Sequence, residues 1–367
     1  MNKALRVSKW AYIAGLVGLL VVGTGLLIVT LISQAAKKLF RDDRDISFDV
    51  RGDLIVFNAA GEGERDLFLL DLRTREVKPL TRSSAREFDP RFAPDGQQVV
   101  YAAYPSIDTA KPSSIYSLDL RSNQVVRLTN SPFADFEPHY LPDGKTLLFG
   151  RAHRLRPYSL GGTVWDKPQT YLLDVSSGTV YSLGVFFWAY EPLAEGALLV
   201  KTEAEAHLLN IGAFRESLSE QDAEKNKQQV TAHMKQDELS SFLTNLQHNR
   251  SSTGDLPISF HEFVLVEGGR ALVFLGIAAG SGYDYELWYV RRDGTGLRRL
   301  TRLHTYLECL RYDPAGNFVY FLRLENPMGM VKSLWRLHLP TGRLEKVAEA
   351  DLFSDPLGYS KREKRIR

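Results

Sequence analysis

The sequence predicts an all-β fold: a six-bladed β-propeller, preceded by one transmembrane α-helix and carrying a helical insertion between blades four and five. Three observations predict it. A turn followed by an apolar strand recurs six times, alternating strand pairs follow most copies, and an uncharged run of 23 residues, Trp10 to Ile32, stands before the first copy. Composition fits a folded chain: 44% of residues are hydrophobic and 25% charged. The 46 Lys+Arg against 44 Asp+Glu leave a formal charge of +2, which gives no whole-molecule attraction to nucleic acid, and no nucleic-acid partner is expected. The single cysteine, Cys309, cannot form an internal disulfide.

The run WAYIAGLVGLLVVGTGLLIVTLI is the first element. At about 1.5 Å per residue it reaches about 34 Å, enough to cross a hydrocarbon core of about 30 Å as a helix. Trp10 and Tyr12 sit at one end, where amphipathic rings favour the interface. A cleaved signal peptide ending at Ser33-Gln34-Ala35 is the rival reading, but secretory apolar cores are shorter, about 7 to 15 residues. Lys3, Arg6 and Lys9 precede the run, and Lys37, Lys38, Arg41 and Arg44 follow it, so the count of cations alone sets no orientation. The expected organisation is a flank (1–9), the transmembrane helix (10–32), a linker (33–44), the propeller (45–355, with the insertion at 214–255) and a basic tail (356–367).

The repeat is read from RGDLIVF (51–57), PDGQQVVYA (94–102), PDGKTLLFG (142–150), EGALLVK (195–201), GGRALVFLG (268–276) and PAGNFVYFL (314–322). Their turn glycines, Gly52, Gly96, Gly144, Gly196, Gly269 and Gly316, are spaced 44, 48, 52, 73 and 47 residues apart, so there are six units and one long interval. Strand pairs such as DLFLLDLRTREVKPLT (66–81) and SIYSLDLRSNQVVRLT (114–129) complete each unit. Period-2 apolar alternation broken by Gly, Pro, Asp and Asn reads as short antiparallel strands, and a 40–50-residue repeat of four strands has the size of a propeller blade. Closing the blades into a ring leaves only short sheet edges.

Two of these units, Phe88-Asp89-Pro90-Arg91-Phe92-Ala93-Pro94-Asp95-Gly96, followed by Ile115-Tyr116-Ser117-Leu118-Asp119-Leu120 and Leu128-Thr129, and Phe136-Glu137-Pro138-His139-Tyr140-Leu141-Pro142-Asp143-Gly144, carry a family pattern. The chain resembles the WD40-like repeats of TolB-type propellers over roughly residues 45 to 355. The resemblance implies a fold rather than a task. Members of that family lie mostly in the bacterial envelope. It therefore implies a single-pass protein of the cell membrane with a cytoplasmic N-terminus and a periplasmic or extracellular propeller.

A G-x-S-x-G elbow is absent, the nearest stretch being Ala279-Gly280-Ser281-Gly282-Tyr283. The eight histidines show no H-x-x-x-H pair, and no Gly-rich phosphate loop precedes a helix. No catalytic, metal or cofactor residue is assigned, and the chain is not expected to be an enzyme. Counting back seven residues from each turn glycine gives Asp45, Asp89, Glu137, Ala189, Glu262 and Cys309, with Glu191 and Glu308 beside the last-named exceptions in blades four and six. Asp89, Glu137, Glu191, Glu262 and Glu308 are thus candidates for an acidic channel mouth that attracts a cationic peptide or cation; equally, such acids accept backbone amides of the next blade and hold the ring.

Between 214 and 255 the strand alternation stops. Val230, Met234, Leu239, Phe242, Leu243 and Leu246 recur near 3.6-residue spacing, an amphipathic helix that either packs on its own propeller or docks in a partner's groove. Arg151 to Arg156 and the aromatic Phe186-Phe187-Trp188-Ala189-Tyr190 suit either an interface or the core. The expected function is a scaffold or accessory subunit of an envelope membrane complex, with protein partners and the bilayer as its contacts. The alternative is a ligand- or metal-binding sensor or enzyme of lyase or hydrolase type that uses the central channel.

Overall fold

The computed structural model describes residues 46–61, 65–105, 111–153, 155–157, 163–193, 196–248, 256–278, 284–326 and 331–358. The 10–32 run, Asp45 and the charged end of the tail lie outside them. Among the described residues no helix is long and apolar enough to cross a membrane.

Six four-stranded antiparallel sheets form six blades, each traversed outward in chain order. Blade one spans Phe48–Pro79, blade two Arg86–Arg127, blade three Ala134–Ser182, blade four Ala189–Lys235, blade five Pro257–Arg299 and blade six Leu307–Ala348. Blade three carries an extra two-stranded hairpin, Leu155–Pro157 with Thr163–Trp165. Every innermost strand starts on one face of the ring, here the entry face, and turns back on the opposite face. The Pro-Asp-Gly turns work as expected: Gly96 (φ 71°) and Gly144 (φ 64°) hold the left-handed corner, and Asp95 and Asp143 accept the amides two residues on. In blade six that corner falls on Asn317 (φ 54°) instead of Gly316.

Period-2 alternation decides the packing. In blade one, Ile55 and Phe57 face blade six while Val56 faces blade two, all fully buried. The same division produces one apolar cluster at each of the six blade boundaries. The Leu-Thr that ends several repeats has a structural task. Thr81, Thr129 and Thr301 each turn a hydroxyl oxygen to the first free amide of the third strand, at Leu67, Ile115 and Leu287, 2.8–2.9 Å away. No strand is exchanged between the first and last blades among the described residues. That seam is closed by side chains, with Gly52 N–H on Asp313 (3.2 Å) and Arg75 on the Val347 carbonyl (2.9 Å).

The insertion departs from expectation in two ways. It holds two helices, α1 (Ala223–His233) and α2 (Glu238–His248), and between them Met234–Lys235 supplies the fourth strand of blade four, pairing with Leu208 and Leu209. Helix α1 is capped by Asp222, which accepts the Lys225 amide (2.8 Å). The second helix starts anew because Asp237 and Ser240 cap each other's amides, both at 2.8 Å. The apolar residues assigned to a partner are spent inside the molecule. Val230, Leu239, Leu243 and Leu246 are buried, and Met234 and Phe242 pack beside them. Helix α2 wedges between blades four and five against Phe260, Phe263 and Phe274, so that face is not a docking surface.

Glu87 links blades one and two under nearly complete burial (2% exposed), accepting the Leu67 amide (3.1 Å) and the hydroxyls of Ser83 (3.0 Å) and Thr81. Burial, despite these bonds, pushes its carboxyl from 4.5 up to about 7. The folded state therefore binds more protons than the unfolded one between those values. The contribution of Glu87 to stability should fall as pH rises from 4.5 to about 7. Denaturant midpoints taken across that range should show a falling slope, and Glu87→Gln should make it shallower.

Candidate binding site in the central channel

A β-bulge in the innermost strand builds the site. Registers slip between Phe88 and Arg91, across Phe136–His139, between Phe260 and Phe263, and between Glu308 and Arg311. At the slip, Asp89 (φ 53°), Glu137 (φ 50°) and Cys309 (φ 63°) take the left-handed conformation, a strained geometry for residues other than glycine. The extra residue turns these side chains toward the ring axis.

Groups from different blades then act on one another across that axis. Arg91 of blade two and Arg311 of blade six both act on Asp89, Glu137, His139 and Glu191. Glu137 of blade three also senses Glu262 of blade five. Blade one contributes Asp49, whose Oδ1 lies 3.7 Å from Arg91 Nη1 and 3.6 Å from Arg311 Nε. Asp45, the residue expected there, lies outside the described residues. Among the described residues the channel thus holds five carboxylates, of Asp49, Asp89, Glu137, Glu191 and Glu262, against two guanidiniums, of Arg91 and Arg311. The sequence named only acids as candidates for the channel mouth; the structure sets two arginines among them. They sit two residues beyond the bulge position, on the same strand face, and period-2 alternation would have found them.

Most of these acids hold the ring. Asp49 accepts the Phe92 amide (2.8 Å), Asp89 the Glu137 amide (3.2 Å), Glu191 the Leu265 amide, and Glu262 the amides of Cys309 (2.9 Å) and Leu310 (2.8 Å). Each bond crosses from one blade to the next. Glu308 stands apart toward the entry face, where it pairs with buried Lys332 at 2.6 Å.

Glu137 differs from all of them. It is exposed to the channel, and among the described residues no protein donor reaches its carboxylate. Enclosure by the channel wall, with Asp89 alongside, raises its carboxyl and that of Asp89 above the usual range. Glu191 is pushed up to about 7, chiefly by burial. Tyr190 and His139 line the wall below, their rings 5.5 Å apart, and the Tyr190 hydroxyl donates to the Glu137 carbonyl at 3.1 Å.

Burial holds Cys309 up at about 11, so at neutral pH it is a thiol and a poor nucleophile. Burial and the two arginines keep His139 neutral. His261 lies nearer the entry face, bonded to the Tyr285 hydroxyl at 3.1 Å. Among the described residues no three His, Cys, Asp or Glu side chains are arranged to hold a metal ion. Of the Arg151–Arg156 segment, Arg151 belongs to the core, where it makes a two-pronged pair with buried Asp135 (2.6 and 3.0 Å) and stacks on Tyr171, while His153 is exposed.

No protein-family profile and no curated protein matches the sequence. Similarity appears among solved structures. TolB from Acinetobacter baumannii superposes with a TM-score of 0.54 at 17% identity, over 88% of this chain and 68% of its own. The tricorn protease gives 0.50 at 14% identity, over 82% of this chain and 26% of the protease. A prolyl endopeptidase gives 0.50 at 12%, over 86% and 52%. At these identities the likeness establishes the fold, a TolB-like six-bladed propeller.

Proposed function

We propose that this propeller is a membrane-tethered interaction module that receives a cationic segment of a partner protein in its channel. The observation that carries this is Glu137, a channel carboxylate that no donor reaches among the described residues, set beside Asp89 and walled by Tyr190 and His139. A lysine, arginine or amino terminus entering the channel supplies the missing donor and draws the raised carboxyls toward their ionised form. Binding then releases protons, and affinity rises with pH until both acids are ionised. The tether is the 10–32 run, and the resemblance to TolB-type propellers implies a cytoplasmic N-terminus with the propeller on the periplasmic or extracellular side. These two features together support a role as an accessory subunit of an envelope complex.

The test is purification of the full-length protein in mild detergent, with co-purifying chains identified by mass spectrometry and bound metal measured in the same sample. A stoichiometric protein partner that is retained by the wild type is the expected result. Glu137→Gln should weaken that retention by about tenfold or more, the effect of losing one charge-assisted hydrogen bond. A lone chain carrying a bound metal or small molecule would overturn the proposal in favour of a channel sensor or enzyme.

A further inference from the structure

The exposed large hydrophobic residues are distributed unevenly between the two faces of the ring. Phe133 and Trp188 precede the innermost strands of blades three and four, and Leu256 precedes that of blade five. Leu357 follows the short helix α3 (Asp351–Ser354), which is bonded to the exit end of blade one's second strand through the Phe353 carbonyl and the Ala60 amide. All four lie on the entry face, Trp188 being 53% exposed with its ring edge-on to Phe186 at 5.2 Å. Among the described residues the only other exposed large hydrophobics are Val125 and Val126, on the outer strand of blade two. Val125 opens that strand one residue after a turn of the opposite face, whereas the Asp-, Asn- and Gly-rich turns themselves carry no exposed large hydrophobic among the described residues. Isolated apolar residues on a surface need no explanation, but four gathered from separate loops onto one face of a ring do.

The chain's two ends lead to the same face. Ile46 enters blade one there, and the last strand of blade six finishes there. Only residues 33–45 separate Ile46 from the uncharged run, a reach of at most about 45 Å when fully extended. Beyond Gly358 the sequence carries Lys361, Arg362, Lys364, Arg365 and Arg367 against Glu363.

We infer that the entry face rests on a lipid surface bearing anionic headgroups. Trp188 and Phe133 enter the interfacial zone, and the basic tail adds electrostatic attraction. Tryptophan suits that zone because its ring is apolar and its N–H remains wet. The exposed charges of the face itself are of both signs, so the apolar residues and the tail supply the attraction. In this orientation the opposite mouth of the channel points away from the bilayer, open to a partner. The inference rests on the tether proposed above.

The test uses the full-length chain in phosphatidylethanolamine/phosphatidylglycerol vesicles, with Cys309→Ser removing the native thiol. An environment-sensitive fluorophore is attached at Trp188→Cys, at Phe133→Cys and, as a control on the opposite face, at Gln97→Cys. The expected result is a blue-shifted emission at the first two sites, quenched by nitroxide-labelled lipid, with the Gln97→Cys label unchanged. If the chain floats with the vesicles after alkaline wash but all three labels behave alike, the docked face is wrong and the tether stands. If the chain does not float, the tether fails and this inference fails with it.

Discussion

Glu262→Ala is expected to destabilise the propeller by about 2–4 kcal/mol, whereas Glu137→Gln leaves its stability within about 0.5 kcal/mol of the wild type. The two residues occupy corresponding places in blades five and three and look interchangeable in the sequence. Their surroundings are opposite. Glu262 accepts two successive amides of blade six, Cys309 at 2.9 Å and Leu310 at 2.8 Å, where the left-handed Cys309 leaves the strand no partner of its own. Removing the carboxylate orphans both donors at a blade boundary, and a hydrogen bond to a charged group contributes about 1.5–3 kcal/mol. The Glu137 side chain holds nothing in the fold, so making it neutral costs nothing there. Denaturant unfolding of both variants decides the matter. Equal loss in the two would mean that the channel acids form one electrostatic unit, and the division into clamp and binding group would fall.

The fold was legible in the sequence because its signals are local. The turn glycines, the period-2 strands and the terminal Leu-Thr each act within a few residues, and each recurs, so weak copies are read from strong ones. Blade four shows where this stops. Its fourth strand, Met234–Lys235, is only two residues long and is flanked by helices, so no alternation marks it. Spacing alone joined Val230 and Met234 to Leu239, yet Asp237 and Ser240 form a capping pair that announces a second helix. Whether an amphipathic face packs on its own molecule or on another is not encoded in its period. Here the cleft between blades four and five settled it.

The channel was half legible for a similar reason. The count from each turn glycine located the bulge residues, because the strand has a fixed length from the turn. A count confined to acids passes over Arg91, His139 and Arg311, two residues beyond Asp89, Glu137 and Cys309, and Tyr190, one residue beyond Ala189. Nor does sequence distinguish a carboxylate that is satisfied by a neighbouring amide from one that is not. That difference depends on how far each blade is rotated against the next, which is a property of the closed ring.

Phe353→Ala is expected to cost about 3–5 kcal/mol and to open the ring at one place. Phe353 is 1% exposed, sits edge-on to Phe57 at 5.9 Å, and packs with Phe48, Leu322 and Leu334 in the cluster joining blades one and six. Its carbonyl also accepts the Ala60 amide at 3.0 Å. The other five boundaries are bridged by chain continuity, since the strand leaving one blade leads into the next. Between blades six and one, among the described residues, only side chains and these few hydrogen bonds make the join. A cavity there should therefore lower the free energy of local opening along with that of global unfolding. Leu243→Ala, fully buried between blades four and five, is the matched control, with a cost of about 2–5 kcal/mol but no breach. Hydrogen exchange followed by mass spectrometry separates them: Phe353→Ala should deprotect the 54–60 and 318–324 strands selectively, and Leu243→Ala should not. Uniform deprotection in both variants would show that the ring opens everywhere at once, and the seam would then be no weaker than any other boundary.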